Sequence, residues 1–306
     1  MRMPGKSYRG PLPPLTDEEG VVRDRLSRHV EALAGTIGRR HLRRPQALDD
    51  AATYVEQSLR ELKLEPGAQT FQVDGVTVRN IEAEIAGLSL PDQIVLVGAH
   101  YDTVPETPGA DDNASGVAAL LEMARLLSAG RHARTLRFVA FVNEEPPFFH
   151  TPFMGSRVYA RRCRARGENL PGVLVLESIG YYADARGSQR YPFPLNLLYP
   201  GTGNFVGFVG NLGSRALTRD AVGSFRSHTQ FPSEGGAVPG IVPGVGWSDH
   251  WAFWQEGYPA VMVTDTAPFR NPNYHMPSDT PETLDYARMA RVVTGLARTA
   301  ADLAGS

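Results

Sequence analysis

Six residues with metal-binding or proton-carrying side chains recur where apolar runs stop. Ile94-Val95-Leu96-Val97-Gly98-Ala99 ends in His100-Tyr101-Asp102. Gly109-Ala110-Asp111-Asp112-Asn113-Ala114-Ser115-Gly116 follows, and a second apolar run, Leu136 to Val142, leads into Glu144-Glu145. A third, Val173–Leu176, ends at Glu177, and His275 follows the run Ala260–Thr264. In open α/β sheets the functional crevice lies at the carboxyl ends of the strands. Imidazoles and carboxylates delivered there suit a hydrolytic zinc site. Amide hydrolysis needs an activated water, a polarised carbonyl and a proton carrier. Two zinc ions about 3.5–4 Å apart supply the first two, and a carboxylate outside their shell supplies the third. Neighbouring side chains at a strand end point in different directions, so one of Glu144 and Glu145 can bind metal while the other faces the water.

These side chains need a scaffold, and the periodicity provides one. Val22, Leu26, Val30 and Leu33 recur at helical spacing, as do Leu48, Ala51, Tyr54, Val55, Leu59 and Leu62. They predict two helices within an N-terminal segment 15–65, separated by the basic stretch Gly38 to Pro45. Strands are expected near Thr70–Val73, Val76–Ile85, Gln93–Ala99, Leu136–Val142, Val173–Leu176 and Ala260–Thr264. Helices are expected just after Asp112, over Ser156–Ala165 and over Leu284–Leu303. The alternation predicts an α/β fold of three layers, α/β/α, around a mostly parallel mixed sheet. Residues 182–246 are richer in Gly and Pro and read as a long excursion with one helix near Asn211–Arg219. No linker interrupts the chain, so residues 1–306 read as a single domain.

Composition narrows the chemistry further. The 306 residues are 42% hydrophobic, enough for one large core, and the net charge is -2. No global field therefore favours nucleic acid or a membrane surface. Of the 31 basic residues only Lys6 and Lys63 are lysines, and the cluster Arg157, Arg161, Arg162, Arg164, Arg166 reads as a solvated helix face. Cys163 is the single cysteine, which excludes an internal disulfide and a thiolate zinc cluster. Any zinc must be held by His, Asp and Glu. Met1 to Pro14 lacks the apolar core of a signal peptide, and no stretch reaches the length of a membrane span. A cytoplasmic location is expected over a secreted one, and the oligomeric state is left open.

The ordered set of motifs resembles the zinc aminopeptidase family of the bacterial leucyl-type aminopeptidases and the glutaminyl cyclases. The matching pieces are His100-Tyr101-Asp102, Pro108 to Gly116, Asn143-Glu144-Glu145 with Gly155-Ser156, Glu177, Ser248-Asp249-His250, and Tyr274-His275 with Asp279-Thr280. The resemblance implies a cocatalytic zinc exopeptidase acting on peptides, with two Zn2+ per chain. Asp112 would bridge them, His100 and Glu177 completing one ion, Glu145 and His275 the other. It makes Glu144 the general base and Tyr274 a donor to the developing oxyanion. Asp102 would orient His100, and Asp249 and His250 would support the ligands from behind. It also implies a cis peptide at Asp112-Asn113. Glu177 departs from the Asp of the best-known aminopeptidases, which keeps the charge and adds a methylene. A glutaminyl cyclase-like acyltransferase, a carboxypeptidase or amidase, and a non-catalytic binding protein of the same fold are the alternatives. His29, His41 and His132 read as surface residues; His150 and His228 read as packed or exposed, with substrate contact the lesser reading.

Overall fold

The computed structural model describes residues 3–193 and 195–305. The first two positions of the polar N-terminal stretch, Pro194 of the excursion and Ser306 lie outside them. Eight strands form one sheet in the order β1-β2-β4-β3-β5-β8-β6-β7. They are β1 (Gly67–Val73), β2 (Val76–Ile85), β3 (Leu90–His100), β4 (Arg134–Phe141), β5 (Asn169–Glu177), β6 (Val206–Gly210), β7 (Ser233–Ala237) and β8 (Ala260–Thr264). Strands β4, β3, β5 and β8 are mutually parallel, as are β6 and β7, whereas β1/β2, β2/β4 and β6/β8 pair antiparallel. The parallel centre is buried on both faces, which is why β3 and β5 are nearly continuous apolar runs rather than alternating ones.

Helices cover the two faces unequally. One face carries α1 (Asp17–Val30), α2 (Pro45–Glu61), α3 (Gly116–Leu127), α5 (Arg215–His228) and α8 (Tyr286–Ala304), whose apolar sides share a core with Val95, Val97, Phe138 and Phe208. The opposite face carries α4 (Gly155–Ala165) and α6 (His250–Gln255), packed on Leu96, Val139, Phe141 and Val175. The termini of α1 and α2 follow local rules. Thr16 and Glu19 form a reciprocal capping box at the start of α1, and Pro45 opens α2 at the first turn, where its missing N–H costs nothing. Helix α1 runs on as a wider π-helical turn, Glu31–Ile37, and stops at Gly38 in a positive-φ conformation.

The excursion differs from expectation. It holds two strands besides its helix, β6 (Val-Gly-Phe-Val-Gly) and β7 (Ser-Glu-Gly-Gly-Ala). Their glycines weaken the strand signal, because glycine lowers β propensity and supplies no side chain to pattern. The helix begins four residues later than its sequence estimate, at Arg215. Two histidines expected at the surface are buried. His29 meets the Tyr54 hydroxyl at 2.7 Å, and His132 lies 3.0 Å from the Leu127 carbonyl.

Candidate metal centre

Strand ends and one loop assemble the site. His100 closes β3 and Glu177 closes β5. Glu144 and Glu145 follow β4, Asp112 precedes α3, and His275 lies on the stretch between α7 (Ala267–Arg270) and α8. The Asp112-Asn113 peptide bond is cis. Three non-glycine residues here have positive φ: Asn143 just before the carboxylate pair, Ser178 just after Glu177, and His275 itself. Residues held in that region concentrate at functional sites, where surrounding contacts must hold them.

Asp112 divides its carboxylate between two imidazoles. Its Oδ1 lies 3.3 Å from His100 Nε2 and its Oδ2 lies 3.1 Å from His275 Nε2. Glu177 Oε2 is 3.3 Å from His100 Nε2, and Glu145 Oε2 is 3.3 Å from His275 Nε2. Two three-residue clusters result, His100/Asp112/Glu177 and Asp112/Glu145/His275, in each of which one donor atom per residue lies within 4.8 Å of the others. Glu144 Oε2 is 3.9 Å from His100 Nε2 and belongs to neither cluster. The donor set fits zinc: imidazole nitrogens and carboxylate oxygens converge in a buried pocket. His100 Nε2, His275 Nε2 and Glu145 Oε1 are buried atoms that make no hydrogen bond among the described residues, which a cation would satisfy.

Charge at the site is perturbed accordingly. Burial works against a charged His100, but Glu177, Glu144, Asp102 and Asp112 outweigh it and hold the imidazolium well above its usual range. His275 is likewise pushed up to about 10, Asp112 and Glu145 overcoming burial. Burial raises Glu145 to about 8, with Asp112 adding to it and His275 opposing. Burial also holds Glu144 well above the ordinary carboxylate range, reinforced by Glu145, Glu177 and Asp249 against the pull of His100. Asp112 is lowered, because close ion-pair contact with both imidazoles overcomes its burial. Protons hold together a set of groups that a cation would bind instead.

The supporting residues are partly those expected. His100 Nδ1 faces the Asp102 backbone carbonyl at 3.2 Å, while the Asp102 carboxylate is 3.6 Å away. That carboxylate accepts from the amides of Glu144 (3.0 Å) and Glu145 (3.1 Å). The Asp102 carboxylate thus aims the carboxylate pair while staying within ion-pair distance of His100 Nδ1, and its main-chain carbonyl faces the same nitrogen. Asp249 is fully buried next to the charges of His100 and Glu177, and burial pushes it up to about 7. The role expected for His250 is corrected. It bonds the Val245 carbonyl at 2.7 Å and meets Trp254 edge-on, so it braces the 245–254 turn rather than a ligand. The Tyr274 ring stacks on His275 with centroids 3.9 Å apart, and burial keeps its phenol protonated far above the usual range. His150 is wedged between Phe149 and Trp251, and His228 bonds Asp302, so both are packing or surface residues.

Four residues to which the sequence reading assigned no role hold this geometry, and of these only Arg40 lies outside the motifs it picked out. Asp279 accepts from the amides of Asp111 (2.9 Å) and Asp112 (3.1 Å). Asp111 accepts from the Gly180 amide and the Asn271 amide group, tying the loop to the far side of the pocket. Ser248 donates to Glu177 Oε2 at 2.7 Å. Arg40, wholly buried, donates to the carbonyls of Tyr101, Pro108 and Gly109, and of Leu33 and Gly38. Gly109 must be glycine there: its φ is +63, and a Cβ would lie 2.3 Å from the Asp112 carbonyl oxygen.

A model of peptidase family M28 matches residues 80–300. The chain belongs to peptidase family M28. It is 37% identical over 282 residues to the uncharacterized protein YfbL of Escherichia coli (strain K12), covering 89% of this chain and 86% of that one. Among solved structures it is similar in fold to BSAP, a zinc aminopeptidase from Bacillus subtilis (TM-score 0.70, 17% identity, 92% of this chain and 95% of that one). It is also similar to a glutaminyl cyclase from Fimbriiglobus ruber (TM-score 0.69, 20% identity, 95% and 97%). The M28 chain is thus a metallopeptidase-type hydrolase fold with a candidate zinc pocket. Among its described residues no helix is long and apolar enough to cross a membrane.

Proposed function

We propose that this M28 chain is a two-zinc exopeptidase that removes N-terminal residues from peptides. The observation that carries the reading is the division of Asp112 between His100 and His275. His100, Asp112 and Glu177 would hold one zinc, and Asp112, Glu145 and His275 the other. Three carboxylates would then face the four positive charges of two ions, leaving a net attraction for a carbonyl oxygen. When bound, the ions supply an acidified water and polarise the scissile carbonyl.

The chain's own groups supply the remainder. Glu144 stands beside the pocket outside both clusters, so it is free to accept a proton from water. In the metal-free chain its burial beside Glu145, Glu177 and Asp249 raises its affinity for a proton, and a carboxylate in that position can carry the proton from the water to the leaving amine. Tyr274, held protonated and facing the same cavity of about 120 Å³, can donate to the developing oxyanion. Phe149 and Trp247 wall this cavity beside the two clusters.

A panel of fluorogenic aminoacyl substrates, run with and without a chelator, tests the reading. Release of free amino acids that stops on chelation and returns with zinc supports it. Cyclisation of N-terminal glutamine without peptide hydrolysis would replace it with the acyltransferase reading. Inactivity of fully zinc-loaded protein on every substrate would replace it with a binding role.

A further inference from the structure

A second cavity, of about 110 Å³, opens beside the metal pocket and shares Glu177, Trp247 and Tyr274 with it. It lies on the sheet face that carries α4 and α6, over β8, β6 and β7, where loops and the short α7 replace a covering helix. Strand register explains its floor. Glu177 pairs with Thr264, Thr264 with Gly207, and Gly207 with Glu234. Residues directly paired across strands face the same side, so these four positions form one row. At the usual strand spacing the row spans about 14 Å, from the metal pocket to the sheet edge. Gly207 raises no side chain from the middle of it. The adjacent row, Met262, Val209 and Gly236, is apolar and low.

Aromatic rings enclose this floor. Tyr191 and Tyr199 have centroids 5.8 Å apart, and Trp247 and Phe269 stack at 6.2 Å. The cavity is therefore apolar between two carboxylates, Glu177 at the end shared with the metal pocket and Glu234 at the end remote from it. Glu234 is half-buried and makes no ion pair among the described residues. Its neighbour Arg226 is committed elsewhere, donating to the Ser233 and Pro4 carbonyls and the Ser233 hydroxyl at 2.7–3.0 Å. Glu234 is hydrogen-bonded by the Ser7 side chain and feels the charges of Arg226 and Arg9, but no guanidinium closes on it as a salt bridge, so its charge stays available at the cavity's far end.

We infer that this cavity takes a substrate side chain with an apolar stem and a terminal cation, arginine or lysine, and that Glu234 reads the charge. The inference rests on the exopeptidase reading for which bond is cut. The stem would lie along Val209 and Met262, the cation would face the aromatic rings, and its charge would meet Glu234. A leucine side chain would fill the near part and stop short of the carboxylate.

Two measurements on zinc-loaded protein decide it. In hydrolysis of arginyl, lysyl and leucyl arylamides, kcat/KM for the basic residues should exceed that for leucine. Glu234→Gln should lower the arginine-to-leucine ratio about tenfold or more. Circular dichroism and zinc content of the variant report whether it is intact. Calorimetric binding of free L-arginine and L-leucine gives a readout independent of turnover: arginine should bind more tightly, and Glu234→Gln should abolish the difference. If arginine binds in this way but no arylamide is cut, the exopeptidase reading fails while the cavity's preference stands. A leucine preference, or an arginine-to-leucine ratio unmoved by Glu234→Gln in both measurements, overturns the inference.

Discussion

Two aspartates outside the ligand clusters use their carboxylates in the same way. Asp102 clamps the consecutive amides of Glu144 and Glu145, and Asp279 clamps those of Asp111 and Asp112. Each fixes a short ligand-bearing loop through its main chain, leaving the ligand side chains free to face the pocket. Glu144 shares that fixed loop yet lies outside both clusters, so removing its basicity should leave metal binding intact. Glu144→Gln is expected to retain zinc by elemental analysis while kcat falls by about 10²–10⁴; near wild-type turnover would remove Glu144 from the mechanism. The titration of the pocket gives a second test. His275 in the metal-free chain is pushed up to about 10 and Glu145 to about 8. Both are then protonated at neutral pH, and a cation must displace those protons. Zinc affinity should therefore rise with pH between 6 and 8, in calorimetry whose heat varies with buffer ionisation because protons are released. Affinity independent of pH would contradict the assignment. At this scale the sequence was legible where a chemically distinctive side chain ended an apolar run, as His100 and Glu177 do. The roles of Asp279 and Arg40 were not, because their partners are backbone groups and leave no pattern in the residues they hold.

The elements show the same division between what patterning reveals and what it hides. Helices α2, α3 and α8 were readable from their apolar stripes, and β3 and β5 from runs buried on both faces. Strands β6 and β7 escaped because Gly207, Gly210, Gly235 and Gly236 leave no side chains to alternate. Two of them, Gly207 and Gly236, open the floor of the aromatic cavity. The basic segment between α1 and α2 read only as a separator of two helices, yet its Arg40 is the peg that joins the N-terminal helices to the loops bearing His100 and Asp112. A buried guanidinium satisfied by five carbonyls cannot be truncated without orphaning them. Arg40→Met should cost about 3–5 kcal/mol in urea unfolding and weaken zinc binding as well. Full stability and unchanged zinc affinity would show that the peg is dispensable.

Across the whole molecule, function follows from an uneven covering of one sheet. Five helices bury one face, while the other keeps α4 and α6 over its centre and leaves β8, β6 and β7 to loops. The metal pocket lies at the carboxyl ends of the parallel strands, and the aromatic cavity extends from it across the uncovered part. This layout places the proposed cleavage centre next to the proposed recess for one side chain, an arrangement suited to trimming residues singly. The account depends on two cations sharing Asp112. Anomalous diffraction from crystals grown with zinc measures this directly. It should reveal two peaks about 3.5–4 Å apart, one beside His100 and Glu177 and one beside Glu145 and His275, with Asp112 touching both. A single peak at full zinc loading, or two peaks of which only one contacts Asp112, would contradict it.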